Sequence, residues 1–129
     1  MLIQHLRIAR PVSNLARSCQ MYCRGLELDK LGSFADHAGF SGYMLGRKGL
    51  GWHLEFTLCH DHPVAPSASM EDLLVLYLPH ADVWNAACAN MDNAGFARVL
   101  SFNPYWDIKG ITFQDNDGYR VVLQNSQWE

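Results

Sequence analysis

The sequence predicts an α+β chain built from two β-α-β-β-β modules, on three observations. Segments with apolar residues at every second position recur along the chain, as half-buried strands require. Two stretches near residues 14–24 and 82–94 carry apolar residues at helical spacing instead. The order strand, helix, three strands then occurs twice within 129 residues, and a repeated order of elements constrains a fold even without sequence identity between the repeats.

The elements follow in order. Met1 to Ala9 alternates as a first strand, and Pro11 is expected to stop it. Ser13 or Asn14 offers a side-chain oxygen to unpaired N–H groups, so a helix runs from there to about Arg24. Leu15, Cys19, Tyr22, Cys23 and Leu26 form its apolar stripe, and Gly25 ends it. Three strands are expected at Leu28–Phe34, Phe40–Leu45 and Trp52–Cys59, with glycines at 39, 42, 46, 49 and 51 between and within them. The stretch from His60 to Met70, with Pro63 and Pro66, reads as a linker. The second module opens with the apolar strand Leu73–Leu78, closed by Pro79. A helix from Asp82 to Ala94 follows, with Val83, Ala87, Cys88, Met91 and Ala94 along one face. Strands are expected at Ala97–Phe102, Ile108–Gln114 and Tyr119–Asn125. The last two are joined by Asp115-Asn116-Asp117-Gly118, in which the Asx side chains bond their own backbone and glycine tolerates positive φ. Module one spans about residues 1–59, the linker 60–71 and module two 72–129. The expected arrangement is a curved, mixed, mostly antiparallel sheet around a concave groove, with the helices outside and the groove open to a small molecule.

Bulk composition narrows the function. Apolar residues make up 49% and charged residues 18% of a chain with net charge −3; an average globular protein has about 25% charged. Lys and Arg are scattered, which argues against nucleic acid as a partner. No apolar run reaches the ~20 residues of a membrane span, and no signal peptide opens the chain, so a cytoplasmic location is expected. The four cysteines contain no C-x-x-C pair. Cys19 and Cys23 share a helix face and read as two small apolar side chains, with a redox pair as the rival. There is no G-x-S-x-G, P-loop or G-x-G-x-x-G after the first strand, so acyl transfer, nucleotide hydrolysis and dinucleotide binding lack support.

Val12-Ser13-Asn14-Leu15 with Met21-Tyr22, Gly25-Leu26-Glu27-Leu28, and the late Phe113-x-Asp115-x-Asp117-Gly118-Tyr119 hairpin together resemble the vicinal oxygen chelate superfamily. That superfamily holds glyoxalase I, bleomycin-resistance proteins and extradiol dioxygenases, and the resemblance covers essentially the whole chain. It implies metal-ligand positions on the first, fourth, fifth and eighth strands. Counted from local anchors, these fall on Arg7, Glu55, near Leu73 and on Val122, with His5 and Gln124 two residues away on the same faces. One carboxylate, an arginine, a leucine and a valine do not make a divalent site, which needs several nitrogen, oxygen or thiolate donors. No cofactor is therefore expected, the alternative being a divalent metal on His5 and Glu55. An Arg7–Glu55 ion pair is expected in the place of the metal.

Counting by two puts His53 and Thr57 on the face of Glu55. His5, Arg7, His53 and Glu55 then form one polar cluster, either a general base with its partner or a satisfied structural network. His60-Asp61-His62 resembles a metal clamp but reads better as a polar loop. Tyr105 and Trp106, after Asn103-Pro104, read as a wall of the groove, with core packing as the rival. Tyr77, with Val75 and Leu73, adds an apolar wall, and Gln124 completes the expected groove. The first functional expectation is a metal-free small-molecule-binding protein, acting as a homodimer. The alternatives are a lyase, isomerase or dioxygenase using Glu55 with His5 or His53, and a structural or regulatory partner-binding dimer. Exchange of modules between chains stays open.

Overall fold

The computed structural model describes residues 1–129. In chain order the elements are β1 (Leu6–Pro11), α1 (Leu15–Gly25), β2 (Asp29–His37), β3 (Phe40–Gly46), β4 (Trp52–Cys59), β5 (Leu73–Tyr77), α2 (Ala81–Asn93), β6 (Ala97–Val99), α3 (Tyr105–Ile108), β7 (Gly110–Gln114) and β8 (Arg120–Gln124). The chain is α+β, and hydrogen bonding divides its strands into two four-stranded mixed sheets, ordered β1-β4-β3-β2 and β5-β8-β7-β6. Each sheet has one parallel pair, β1 with β4 or β5 with β8, and two antiparallel pairs. The parallel pair follows from the helix between first and second strands, since parallel neighbours need a crossover longer than a hairpin turn. Two compact units result. One comprises Met1–Cys23 with Glu27–Pro66, and the other Arg24–Leu26 with Ser67–Glu129.

In the first unit, Asn14 caps α1 by accepting the Arg17 N–H on Oδ1 at 3.0 Å. Of the expected stripe of α1, Tyr22 is fully buried, but Leu15, Cys19, Cys23 and Leu26 are only half-buried, and the buried line continues instead through Ser18 and Met21. The helix is therefore rotated by part of a turn from the orientation its apolar stripe predicts. Its core contact is Tyr22 edge-on to Phe56, ring centroids 4.9 Å apart, so Leu54 and Phe56 are the inward residues of β4. Alternation then sends His53, Glu55 and Thr57 to the opposite face. The first strand does not start at Met1. It begins at Leu6, whose N–H donates to the Gly51 carbonyl at 3.0 Å, because the partner β4 begins only at Trp52. It does stop at Pro11, as expected, with Pro11 itself the last paired residue, opposite Thr57. A proline is tolerated there because β1 is an edge strand, where a missing N–H need not break a ladder bond.

In the second unit, the buried face of α2 runs through Cys88 and Met91. It begins at Trp84, whose Nε1–H donates to the Leu123 carbonyl at 2.8 Å, rather than at Val83, which is exposed. Phe113, Val121 and Leu123 complete that core. β6 is shorter than expected, ending at Val99. The segment 103–108, expected to be a loop leading into a strand, instead folds into the short helix α3. Asn103 initiates it, accepting the Tyr105 N–H on Oδ1 at 3.1 Å and the Trp106 N–H on its carbonyl at 3.2 Å. No helix of the chain is long and apolar enough to cross a membrane.

Candidate functional site

β1 and β4 lie side by side in parallel, with Arg7 opposite His53 and Ala9 opposite Glu55. That register puts Arg7 on a diagonal to Glu55, and its guanidinium reaches both neighbours. Nε donates to His53 Nε2 at 2.7 Å, and Nη1 to Glu55 Oε2 at 3.2 Å. His5, just ahead of β1, continues the line: its Nε2 meets His53 Nδ1 in a short hydrogen bond, with the rings 4.6 Å apart. The four residues of the expected polar cluster thus form one chain, Glu55–Arg7–His53–His5.

The direction of this chain follows from its donors. Arginine only donates, so His53 Nε2 must be the acceptor and the neutral His53 ring carries its proton on Nδ1. That proton is then given to His5 Nε2, which leaves His5 with an N–H on Nδ1. A second proton on His53 would set an N–H against the Arg7 N–H. The His53 pKa is accordingly held below the usual imidazole range, first by partial removal from water, then by Arg7 and His5, with Glu55 pulling the other way. Because the folded pKa is depressed, this group's contribution to stability is present above pH ~6.5, the unfolded value, and is lost as pH falls through the folded pKa. Arg7→Met removes both the charge and the opposing donor. In that variant the His53 imidazole should titrate at higher pH than in the wild type, read by NMR from its ring-carbon protons. An unchanged midpoint would show that Arg7 does not orient His53.

One residue of this site carries a signal that strand counting overlooks. Gly46, at the end of β3, lies against His53: a Cβ there would stand 2.9 Å from the His53 Cβ and 2.9 Å from Leu31 Cδ1. The glycine beside His53 is thus needed for space, not for a turn. Thr57, on the same face, donates its hydroxyl to the Arg10 carbonyl at 3.4 Å and is occupied structurally.

The second unit repeats the geometry without the chemistry. Leu73 pairs with Arg120, Val75 with Val122 and Tyr77 with Gln124, so the diagonal that joins Arg7 to Glu55 joins Leu73 to Val122. Neither has a donor atom, and Val122 is fully buried. Arg120 is also spoken for, donating through Nε to Gln114 Oε1 at 3.0 Å. At the metal-ligand positions implied by the superfamily the chain therefore supplies Glu55 as its one carboxylate, already paired to a guanidinium. No group of three or more His, Cys, Asp or Glu side chains is placed to hold a metal ion. The donor set does not fit a divalent cation.

The remaining sequence candidates fall in separate places. Tyr105 and Trp106 lie on α3, edge-on to each other at 5.0 Å. Tyr77 contacts Trp128 near the C-terminus, at 6.0 Å. Tyr105 and Gln124 line one cavity of about 290 Å³, together with Ile108, Lys109, Ser126 and Gln127; these last four carry no sequence signal that marks them as site residues. His60 braces the β2–β3 turn, with Nε2 2.8 Å from Ser41 Oγ and 3.6 Å from Asp36 Oδ1. Cys19 and Cys23 are free, with Sγ atoms 4.0 Å apart. Burial, followed by the neighbouring Cys19, pushes the Cys23 thiol up to about 12, so it is a protonated and unreactive thiol near neutrality.

Two β-α-β-β-β modules with this strand order and these diagonals define a chain of the vicinal oxygen chelate superfamily, and comparison with solved structures agrees. An antibiotic binding protein, TnmS3 from Streptomyces sp. CB03234, has the same fold with a TM-score of 0.66 at 22% identity, over 96% of this chain and 97% of that one. Within the superfamily the chain belongs to the YycE-like family. The YycE-like N-terminal domain matches residues 6–57 and the YycE-like C-terminal domain residues 71–125. The uncharacterized protein YycE of Bacillus subtilis is 38% identical over 122 residues, 95% of this chain and 88% of that protein. A crystal structure of a YycE protein of unknown function from Bacillus subtilis superposes with a TM-score of 0.89 at 37% identity, covering 98% of this chain and 93% of that one.

Proposed function

We propose that this chain binds a small organic molecule at the β1–β4 polar patch, without a catalytic metal. The observation that carries the reading is the Arg7 fork. Arg7 donates to both His53 and Glu55, which supports reading its guanidinium as the substitute for a cation, and it leaves the His5 end of the chain as an N–H donor. A half-exposed guanidinium beside a donating imidazole suits an oxygen-rich or anionic group on the ligand. The fold relative described as an antibiotic binding protein supports sequestration as the biological use. Exposed apolar side chains at Leu2, Ile3 and Leu6, and at Leu100, Phe102 and Ile108, support a homodimer, and four free cysteines suit a reducing cytoplasm.

A second reading, a lyase or isomerase, is favoured by one feature: His53 is held neutral near neutral pH. Its Nε2 lone pair is taken by Arg7, however, so proton abstraction would have to pass through His5 or Glu55. A thermal-shift screen of organic acids and antibiotics tests the first reading. At least one compound is expected to raise the melting temperature of the wild type and to fail with Arg7→Met. Elemental analysis of protein purified without chelator tests the metal. Stoichiometric nickel, zinc, iron or manganese that disappears in Glu55→Ala would overturn the metal-free part.

A further inference from the structure

The cavity beside α3 contains a polar side chain whose hydrogen bonding is incomplete. Gln124 is 4% exposed, and its Oε1 is enclosed without a partner. The enclosing element is Gly110. A Cβ at Gly110 would stand 2.5 Å from Gln124 Oε1, 2.8 Å from the Trp106 carbonyl oxygen and 3.1 Å from the Leu123 carbonyl oxygen. Three acceptor oxygens therefore line the space where a Gly110 side chain would stand, and an amide oxygen gains nothing from two carbonyls. The NH2 end of the same amide has the same size and does gain. A half-turn about the last side-chain bond exchanges the two ends of the amide, so that the NH2 takes the enclosed position beside Gly110. It also turns the Gln124 oxygen away from Gly110, leaving it to be satisfied from the cavity that Gln124 lines.

The rest of the lining defines what meets that oxygen. Lys109 forms no ion pair, and its ammonium is available to an anion at the cavity rim. Tyr105 is 58% exposed, an uncovered ring on the wall. The volume, about 290 Å³, is at the lower end for small-molecule sites and suits a ligand built on a single ring. We infer that this cavity binds a small aromatic acid bearing a hydroxyl or N–H donor. The carboxylate meets Lys109, the ring lies on Tyr105, and the donor bonds the Gln124 amide oxygen. The inference rests on the small-molecule reading above but uses a different set of side chains.

The test is an NMR titration of the full-length ¹⁵N-labelled protein with 4-hydroxybenzoate, benzoate and 4-methoxybenzoate, followed at the Gly110 and Ser126 amides and the Gln124 side-chain amide. 4-Hydroxybenzoate is expected to bind about fivefold more tightly than the other two, the effect of one net hydrogen bond. Gln124→Leu should make the three acids equal. Lys109→Met, an exposed change that leaves folding intact, should weaken all three. No shift at Gly110 and Ser126 with any of the acids would overturn the proposal, as would a preference for the methoxy compound, which offers an acceptor in place of the donor. If the acids fail here while a screened compound binds in an Arg7-dependent way, this inference falls and the β1–β4 reading stands. If neither set of compounds binds, both fall.

Discussion

Asp115→Ala is expected to lower the melting temperature by about 8–15 °C, corresponding to a loss of roughly 2–4 kcal/mol. Asp115 is 7% exposed, and its Oδ1 accepts two backbone N–H groups, from Asp117 at 2.8 Å and Tyr119 at 3.0 Å. The main chain closes the same turn, Asp115 N–H to the Tyr119 carbonyl at 2.9 Å and Gly118 N–H to the Asp115 carbonyl at 3.3 Å. Alanine leaves two N–H groups of a largely buried turn without acceptors. Asp115→Asn keeps an oxygen in the same position, loses only the charge on it, and is expected to cost about half as much. Thermal unfolding by circular dichroism separates the two. Equal losses would show that the carboxylate charge, not the pair of accepted bonds, holds the turn. The consequence reaches the second unit's cavity. The turn sets Gln114 opposite Arg120, and a slip of one residue would exchange Val122 and Gln124 for Leu123 and its neighbours on every face of β8.

Gly42→Val is expected to prevent folding of the first unit, and Gly42→Ala to cost roughly 3 kcal/mol or more. Gly42 is buried in the middle of β3, opposite Thr57. A Cβ there would stand 2.7 Å from Phe34 Cζ and 2.7 Å from the Phe56 carbonyl oxygen. The ring can turn aside; the carbonyl cannot, because it belongs to the strand that carries His53 and Glu55. A double variant, Gly42→Ala with Phe34→Ala, should therefore recover only part of the lost stability in urea unfolding. Full recovery would mean that the backbone of β4 is free to move. That outcome would also weaken the case for a rigidly placed Arg7–His53–Glu55 chain, since those side chains depend on β4 holding its register with β1.

The polar chain is legible in the sequence because strand periodicity is a local property. His53 and Glu55 share a face of β4 for the same reason that Leu54 and Phe56 share the other, and Arg7 lies at the spacing from Asn14-Leu15 that places it on β1. The cavity is not legible in this way. Tyr105, Ile108 and Lys109 come together through a helix of four residues, too short for any periodic pattern, started by one asparagine and one proline. Their meeting with Gln124 depends on Gly110 standing opposite Gln124 in the β7–β8 register. That is a contact between residues distant in sequence, and no local pattern announces it. The rotation of α1 and the choice of Trp84 over Val83 on α2 are hidden for a related reason. A helix with apolar residues on neighbouring faces is turned by the sheet it packs against, since burial of a large side chain outweighs small differences along the stripe.

Local chemistry along the chain dictates the two-module α+β order, the position of the closing turn, and the residue types at the four superfamily ligand positions. Those features need only periodicity, turn chemistry and side-chain identity, all of which act over a few neighbouring residues. Which donors meet which acceptors is settled in three dimensions. Packing directs the hydrogen bonds from Arg7 into His53 and Glu55, spaces β4 through Gly42 and Gly46, and encloses the Gln124 amide against Gly110. Each depends on strand register, and register is fixed by packing across the whole unit rather than by any one segment.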